Sequence, residues 1–238
     1  MNIKKLMKTI GIGRDQVIRD RIKVRAIHGM SFIFDKFELP LVNISSTGLG
    51  LLAHPEKKFE NGEIIDGNLK TADGIFQLTI EVVHQTGQMT GCRIKNADNL
   101  YQAFLKKYFS SELEGLKLQE MDSDRLSEDA NGTPHWHFSD TDHELYYTVR
   151  NDEITSIQIT YQNYVIVVDP EGNLSTGAVW EDERSDGMDH KSSDLVKGDG
   201  GLPEDIKGQI IRFIGAINKI EKSDRQKIEK ILEKKFNL

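Results

Sequence analysis

Apolar and polar positions alternate in short runs along the first half of the chain. Residues 22–30, 31–37, 39–44 and 49–53 each read as a strand, and a Ser/Thr/Gly turn separates the last two. Residues 76–85 and 89–95 form two more, joined by a Thr-Gly turn. The period then changes. Within 97–109, Leu100, Phe104, Leu105 and Tyr108 fall at helical spacing and Asp98 stands at the expected N-cap. Short antiparallel strands closed by one helix predict a small barrel with a plug.

The second half repeats neither pattern. Residues 144–150, 154–161 and 164–169 predict an antiparallel meander with polar turns at Asn151-Asp152 and Gln162-Asn163. In its middle strand Ile157, Ile159 and Tyr161 face one way and Ser156, Gln158 and Thr160 the other, so one sheet face must be covered. Residues 204–220 offer the cover, an apolar stripe of Ile206, Ile210, Phe213, Ile214 and Ile217 behind a helix-starting Pro203. Residues 224–236 predict a second, more charged helix. Residues 119–134 and 181–203 are rich in Asp, Ser and Gly and too polar to bury much surface. The expected organisation is an N-terminal extension (1–13), a barrel domain (14–118), an acidic linker (119–134) and an α+β domain (135–238). The fold class is therefore mainly β with α.

Composition narrows the setting of these 238 residues. A mean hydropathy of -0.48 and 29% charged residues exclude a membrane-embedded chain. Lys8 interrupts the apolar part of the N-terminus and no small-residue cleavage site follows, so a cytoplasmic location is expected. The single cysteine, Cys92, forms no intrachain disulfide. Net charge is -7, yet residues 1–30 carry eight bases against two acids, while residues 120–205 carry 21 acids against five bases. An acidic protein with one basic cluster disfavours nucleic-acid polymers and favours a compact anion.

Within that cluster Arg21 and Arg25 are four apart, so on an extended chain they share a face. Seventeen residues intervene before Asn43-Ile44-Ser45-Ser46-Thr47-Gly48, where Asn43 and Ser45 are two apart and Gly48 permits either a φ > 0 turn or a close backbone approach. Arginine grips phosphate bidentately and reads the O6/N7 edge of guanine, and Asn and Ser add short donors and acceptors. The residues alone point to an anionic, purine-bearing ligand.

The ordered pair RxxxR (Arg21, Arg25) and NxSxxG (Asn43, Ser45, Gly48) resembles the signature of the PilZ family, receptor domains for the bacterial second messenger cyclic di-GMP. The apolar Gly48-Leu49-Gly50-Leu51-Leu52 and the strand Thr90-Gly91-Cys92-Arg93-Ile94 leading into Leu100–Tyr108 extend the resemblance over residues 14–118. It implies a PilZ-like barrel in which Arg21 and Arg25 clamp guanines and phosphates, Asn43 and Ser45 contact a guanine and its phosphate, and Gly48 lets the backbone turn beneath them. In that family Asp is common at the position of Asn43, and Asn is an accepted variant. The resemblance makes Arg14 and Arg19, in the segment that typically wraps the ligand, secondary candidates for ligand contact.

The resulting expectation is a non-enzymatic cyclic di-GMP receptor with no cofactor and no metal, coupling the barrel to a C-terminal domain that binds a protein partner. Motility or surface attachment is the kind of process it would regulate. A homodimer is left open. One alternative is a PilZ-like scaffold that has lost nucleotide binding. Another is an enzyme built on the C-terminal domain, with His135, His137 and His143 around a metal, although alternate polar residues on a hairpin explain those histidines more simply.

Overall fold

The computed structural model describes residues 22–24, 28–72, 74–127, 130–179, 195–196 and 201–238. The chain divides into two units, Met1–Phe109 and Ser110–Leu238.

Seven strands build the first unit: β1 (Ile22–Lys23), β2 (Ser31–Phe34), β3 (Phe37–Ile44), β4 (Gly48–Leu52), β5 (Ile64–Thr71), β6 (Gly74–Thr86) and β7 (Met89–Ile94). Six of them close a ring in the order β3-β2-β5-β6-β7-β4, with β4 returning to β3, and all the pairs are antiparallel. Two-residue β1 pairs with the far end of β3, Ile22 opposite Ile44 and Lys23 opposite Asn43. Phe32, Leu39, Ile44, Leu49, Leu51, Leu69, Leu78, Ile80 and Val82 fill the interior and are all 2% exposed or less.

Strand β5 is absent from the sequence reading because Asp66, Gly67 and Asn68 interrupt its apolar alternation with residues that strands disfavour. Packing explains the glycine. A Cβ at Gly67 would stand 2.6 Å from the Phe32 ring and from the Ile33 carbonyl, so the missing side chain is the space Phe32 occupies.

Helix α1 (Asn99–Tyr108) starts as expected, with the Asp98 carboxylate accepting from the Tyr101 amide at 2.7 Å. Its buried face is Tyr101, Leu105 and Phe109, each at most 1% exposed, whereas Leu100, assigned to the apolar stripe from sequence, is 73% exposed. Tyr101 supplies the i−4 position of the true stripe, one residue round the helix from Leu100.

The second unit starts with helix α2 (Ser110–Lys117), followed by a meander of β8 (Gln119–Glu120), β9 (Thr133–Phe138), β10 (Glu144–Arg150), β11 (Glu153–Tyr161), β12 (Tyr164–Val168), β13 (Leu174–Val179) and β14 (Leu195–Val196). Helices α3 (Glu204–Ala216) and α4 (Lys222–Phe236) cover one face. Leu145, Tyr147, Ile157, Ile159, Tyr161 and Ile166 of the sheet share one core with Ile210, Phe213 and Ile214 of α3 and Ile228, Leu232 and Phe236 of α4. Asn151 and Asp152 adopt positive φ in the β10–β11 turn, as does Gln162 in the next. The barrel and the helix-covered α+β meander are the expected fold.

The division between units lies earlier than the sequence boundary at 118. Helix α2 belongs to the second unit: its Gly115 lies against the Phe213 carbonyl of α3 so closely that a Cβ would overlap it. Part of the expected linker is also structured, since β8 pairs with β9 and Ser123–Arg125 form a 3-10 turn capped by Asp122. Backbone pairing suffices there and needs no apolar run.

Candidate functional site

On the outer barrel wall the registers align one row of residues across five strands: Lys23 on β1, Asn43 on β3, Gly50 on β4, Gly91 on β7 and His84 on β6. Alternation fixes the facing. Ile22 and Val24 are buried while Lys23 is exposed, and Leu49, Leu51, Thr90 and Cys92 point inward on either side of the two glycines. Gly50 and Gly91 stand at neighbouring outward positions and are themselves buried, their missing side chains leaving room for a flat group to lie against the backbone.

A β-bulge puts Asn43 on that wall. The register steps from Leu41 opposite Leu51 to Asn43 opposite Gly50, so Val42 is the extra residue and the alternation that buries Leu39 and Leu41 is reversed at Asn43. The Asn43 amide folds across Gly50, where a Cβ would stand 2.6–2.8 Å from its atoms. Its Nδ2 donates to Met89 Sδ at 3.7 Å, a weak bond. Its Oδ1 is buried without a hydrogen-bond partner among the described residues, an acceptor supplied with no donor.

Ser45 lies just beyond the end of β3 and is 3% exposed. Its amide donates to the Gly48 carbonyl at 2.9 Å, its hydroxyl donates to the same oxygen at 3.3 Å, and the Thr47 amide donates to Ser45 Oγ at 3.4 Å. The hydroxyl lies 3.8 Å from where a Gly48 Cβ would stand. Of the two uses open to Gly48, the structure has the close approach: a Cβ would be 2.7 Å from the Cys92 carbonyl oxygen. Helix α1 fixes this turn from behind, Tyr101 donating to the Ser45 carbonyl at 2.8 Å and Gln102 Nε2 to the Ser46 carbonyl at 3.2 Å. Burial pushes the Tyr101 phenol well above its usual range, which keeps the donor protonated.

Arg14, Arg19, Arg21 and Arg25 lie outside the described residues. Asn43, Ser45 and Gly48 are brought together at one end of the β3–β4 hairpin. Sequence reasoning missed Lys23, Gly50, His84, Gly91 and Arg93 as neighbours of this motif. Arg93 is directly opposite Gly48, mostly exposed, with Nη1 3.5 Å from the Glu81 carboxylate, which also pairs with Lys95 at 3.1 Å. Two glycines with the same phase as the motif glycine were the available signal.

A cavity of about 510 Å³ opens nearby between Val24, Gly29, Met30, Glu38, Pro40 and Leu41. A hydrogen bond from Ser31 and then one from Lys70 hold the Glu38 carboxyl below its ordinary range, and Lys70 pairs with it at 3.1 Å.

In the second unit the three histidines divide between two surroundings. His135 and His137 stack against Tyr147, whereas His143 pairs with Thr141 Oγ1 at 3.0 Å and packs on Tyr161 and Phe213. Among the described residues no group of three or more His, Cys, Asp or Glu is placed to hold a metal ion. Cys92 is buried, which pushes its thiol up to about 12 and leaves it protonated at neutral pH. No described helix is long and apolar enough to cross a membrane.

Residues 19–111 match the PilZ domain family model, a span that holds both half-motifs and the whole glycine row. Among solved structures, an uncharacterized Legionella protein, Lpg0364, is similar over 38% of this chain and 96% of its own, with 15% identity and a TM-score of 0.32. The PlzA protein of Borreliella burgdorferi, solved in complex with c-di-GMP, is similar over 76% of this chain and 88% of its own, with 11% identity and a TM-score of 0.31. No curated protein matches.

Proposed function

We propose that this chain is a non-enzymatic cyclic di-GMP receptor, binding the dinucleotide at the outer barrel wall around Asn43, Ser45 and Gly48 and passing the signal to a partner protein through its second unit. The observation that carries the reading is the PilZ match over residues 19–111, which brings the arginine pair and the Asn/Ser/Gly motif into one domain. The chemistry agrees with it. Cyclic di-GMP carries two phosphates and two guanines, suited to the forks of Arg21 and Arg25, with Arg14 and Arg19 as secondary contacts. Asn43 Oδ1, without a partner among the described residues, is an acceptor of the kind a guanine N–H satisfies. The mobilised output would be a bacterial process such as motility or surface attachment, in a cytoplasmic setting.

Calorimetric titration with cyclic di-GMP tests the proposal. Saturable binding that Arg21→Ala or Arg25→Ala removes is the expected result, and an absence of binding by the folded unaltered protein would reject it. The internal bonding of the Ser45 hydroxyl favours one second reading, a PilZ-like scaffold that no longer takes nucleotide and acts by protein contacts alone. The same titration separates the two.

A further inference from the structure

The site described so far has one side, supplied by β3 and its turn. The row continues across Gly50 and Gly91 to His84, whose position mirrors that of Asn43. Plain alternation along β6 would send His84 inward with Leu78, Ile80 and Val82. Instead the register steps from Val82 opposite Cys92 to His84 opposite Gly91, with Val83 as the extra residue, and this second bulge turns His84 outward. Its imidazole tip lies over Gly91, where a Cβ would be 2.7 Å from Nε2 and 2.8 Å from Nδ1. Two bulges on strands three apart in the ring therefore deliver two planar polar groups onto two adjacent glycines. Each glycine accommodates one of them, Gly50 the Asn43 amide and Gly91 the His84 ring.

We infer that His84 is a further ligand contact, the stacking half of the platform on which a purine base of the bound dinucleotide rests; this rests on the cyclic di-GMP reading above. The fit is chemical as well as positional. Imidazole offers a flat aromatic face to a purine, and stacking of this kind tolerates the approach of a base lying flat on a strand surface. Lying against Gly91, the ring is held close to the backbone. His84 is half-buried, and no hydrogen bond ties it to another described residue.

The test uses the full chain and cyclic di-GMP itself. His84→Ala should weaken binding about tenfold, the scale of one lost base–aromatic contact, while leaving the melting temperature unchanged. His84→Phe, which keeps a flat ring, should bind within about threefold of the unaltered protein. Gly91→Ala places a methyl group where the imidazole sits and should weaken binding as His84→Ala does. The His84 ring carbon resonance should move on nucleotide addition. Binding by the unaltered protein with no loss in His84→Ala overturns this inference and leaves the receptor reading standing. No binding by the unaltered protein rejects the receptor reading itself. A loss in His84→Ala that comes with a lowered melting temperature and an unmoved ring resonance would assign His84 a structural role and overturn the inference.

Discussion

On the barrel wall Asn43 holds a buried carbonyl oxygen with no donor among the described residues; in the second unit, Glu112 of α2, 4% exposed, is gripped by Arg212 of α3 through Nε–Oε1 at 2.7 Å and Nη2–Oε2 at 2.9 Å. Around that pair Ser111 and Tyr161 share a hydrogen bond of 2.9 Å, and Gln209 accepts from Tyr161 at 3.3 Å. The polar groups of the second unit bind its helices to one another and to its sheet. On the barrel wall the Asn43 amide lies over Gly50 and makes one weak bond among the described residues, to Met89 Sδ. A polar group that costs folding energy and returns none is expected where a ligand supplies the missing partner. His137 departs from this division: it is fully buried in the second unit with both ring nitrogens unpartnered among the described residues.

The largest expected effect tests the cross-linking side. Arg212→Ala leaves the Glu112 carboxylate buried and should lower stability to denaturant by about 3–5 kcal/mol. Replacing both, Glu112→Leu with Arg212→Met, should recover most of that loss. Next comes Asn43→Leu, which should leave stability unchanged or raise it by about 1 kcal/mol while weakening cyclic di-GMP binding by about 1–3 kcal/mol in calorimetry. A stability loss matching that of Arg212→Ala would erase the contrast between the two regions.

His137→Phe should raise stability by about 1 kcal/mol at neutral pH by removing two unpartnered buried nitrogens. The pH dependence has a definite sign. Burial, opposed by Glu120 and reinforced by His135, lowers the His137 folded pKa. The unfolded chain then binds the proton more readily, so stability is complete above about pH 6.5 and falls as pH drops below it. His137→Phe should flatten part of that fall in denaturation curves taken at successive pH values. His143, also lowered chiefly by burial, contributes in the same direction. The smallest effect is Lys23→Ala, which should weaken nucleotide binding by less than about 1 kcal/mol, and only at low salt, because the side chain is exposed.

Features set by local chemistry were legible in the sequence: the Asp98 cap, the alternation of Ile157, Ile159 and Tyr161, and the spacing of the α3 stripe. Features set by contact between distant segments were not. Gly67 looks like a strand breaker until Phe32 is known to lie on it, and Leu100 fits a helical stripe as well as Tyr101 does until the barrel shows which side is covered. The motif residues Asn43, Ser45 and Gly48 could be read from spacing. The row they belong to could not, because a single extra residue at Val42 and another at Val83 reverse the facing of everything after them, and periodicity carries no mark of where a bulge falls.

The bonds from α1 to the turn after β3 have a thermodynamic consequence. Tyr101 and Gln102 each reach 56 residues back to fasten successive carbonyls, Ser45 and Ser46, from the interior. A turn fastened in this way has already lost its conformational freedom during folding. On the proposed function a ligand would meet it as a rigid template, and the ordering entropy of association would be borne by other parts of the chain.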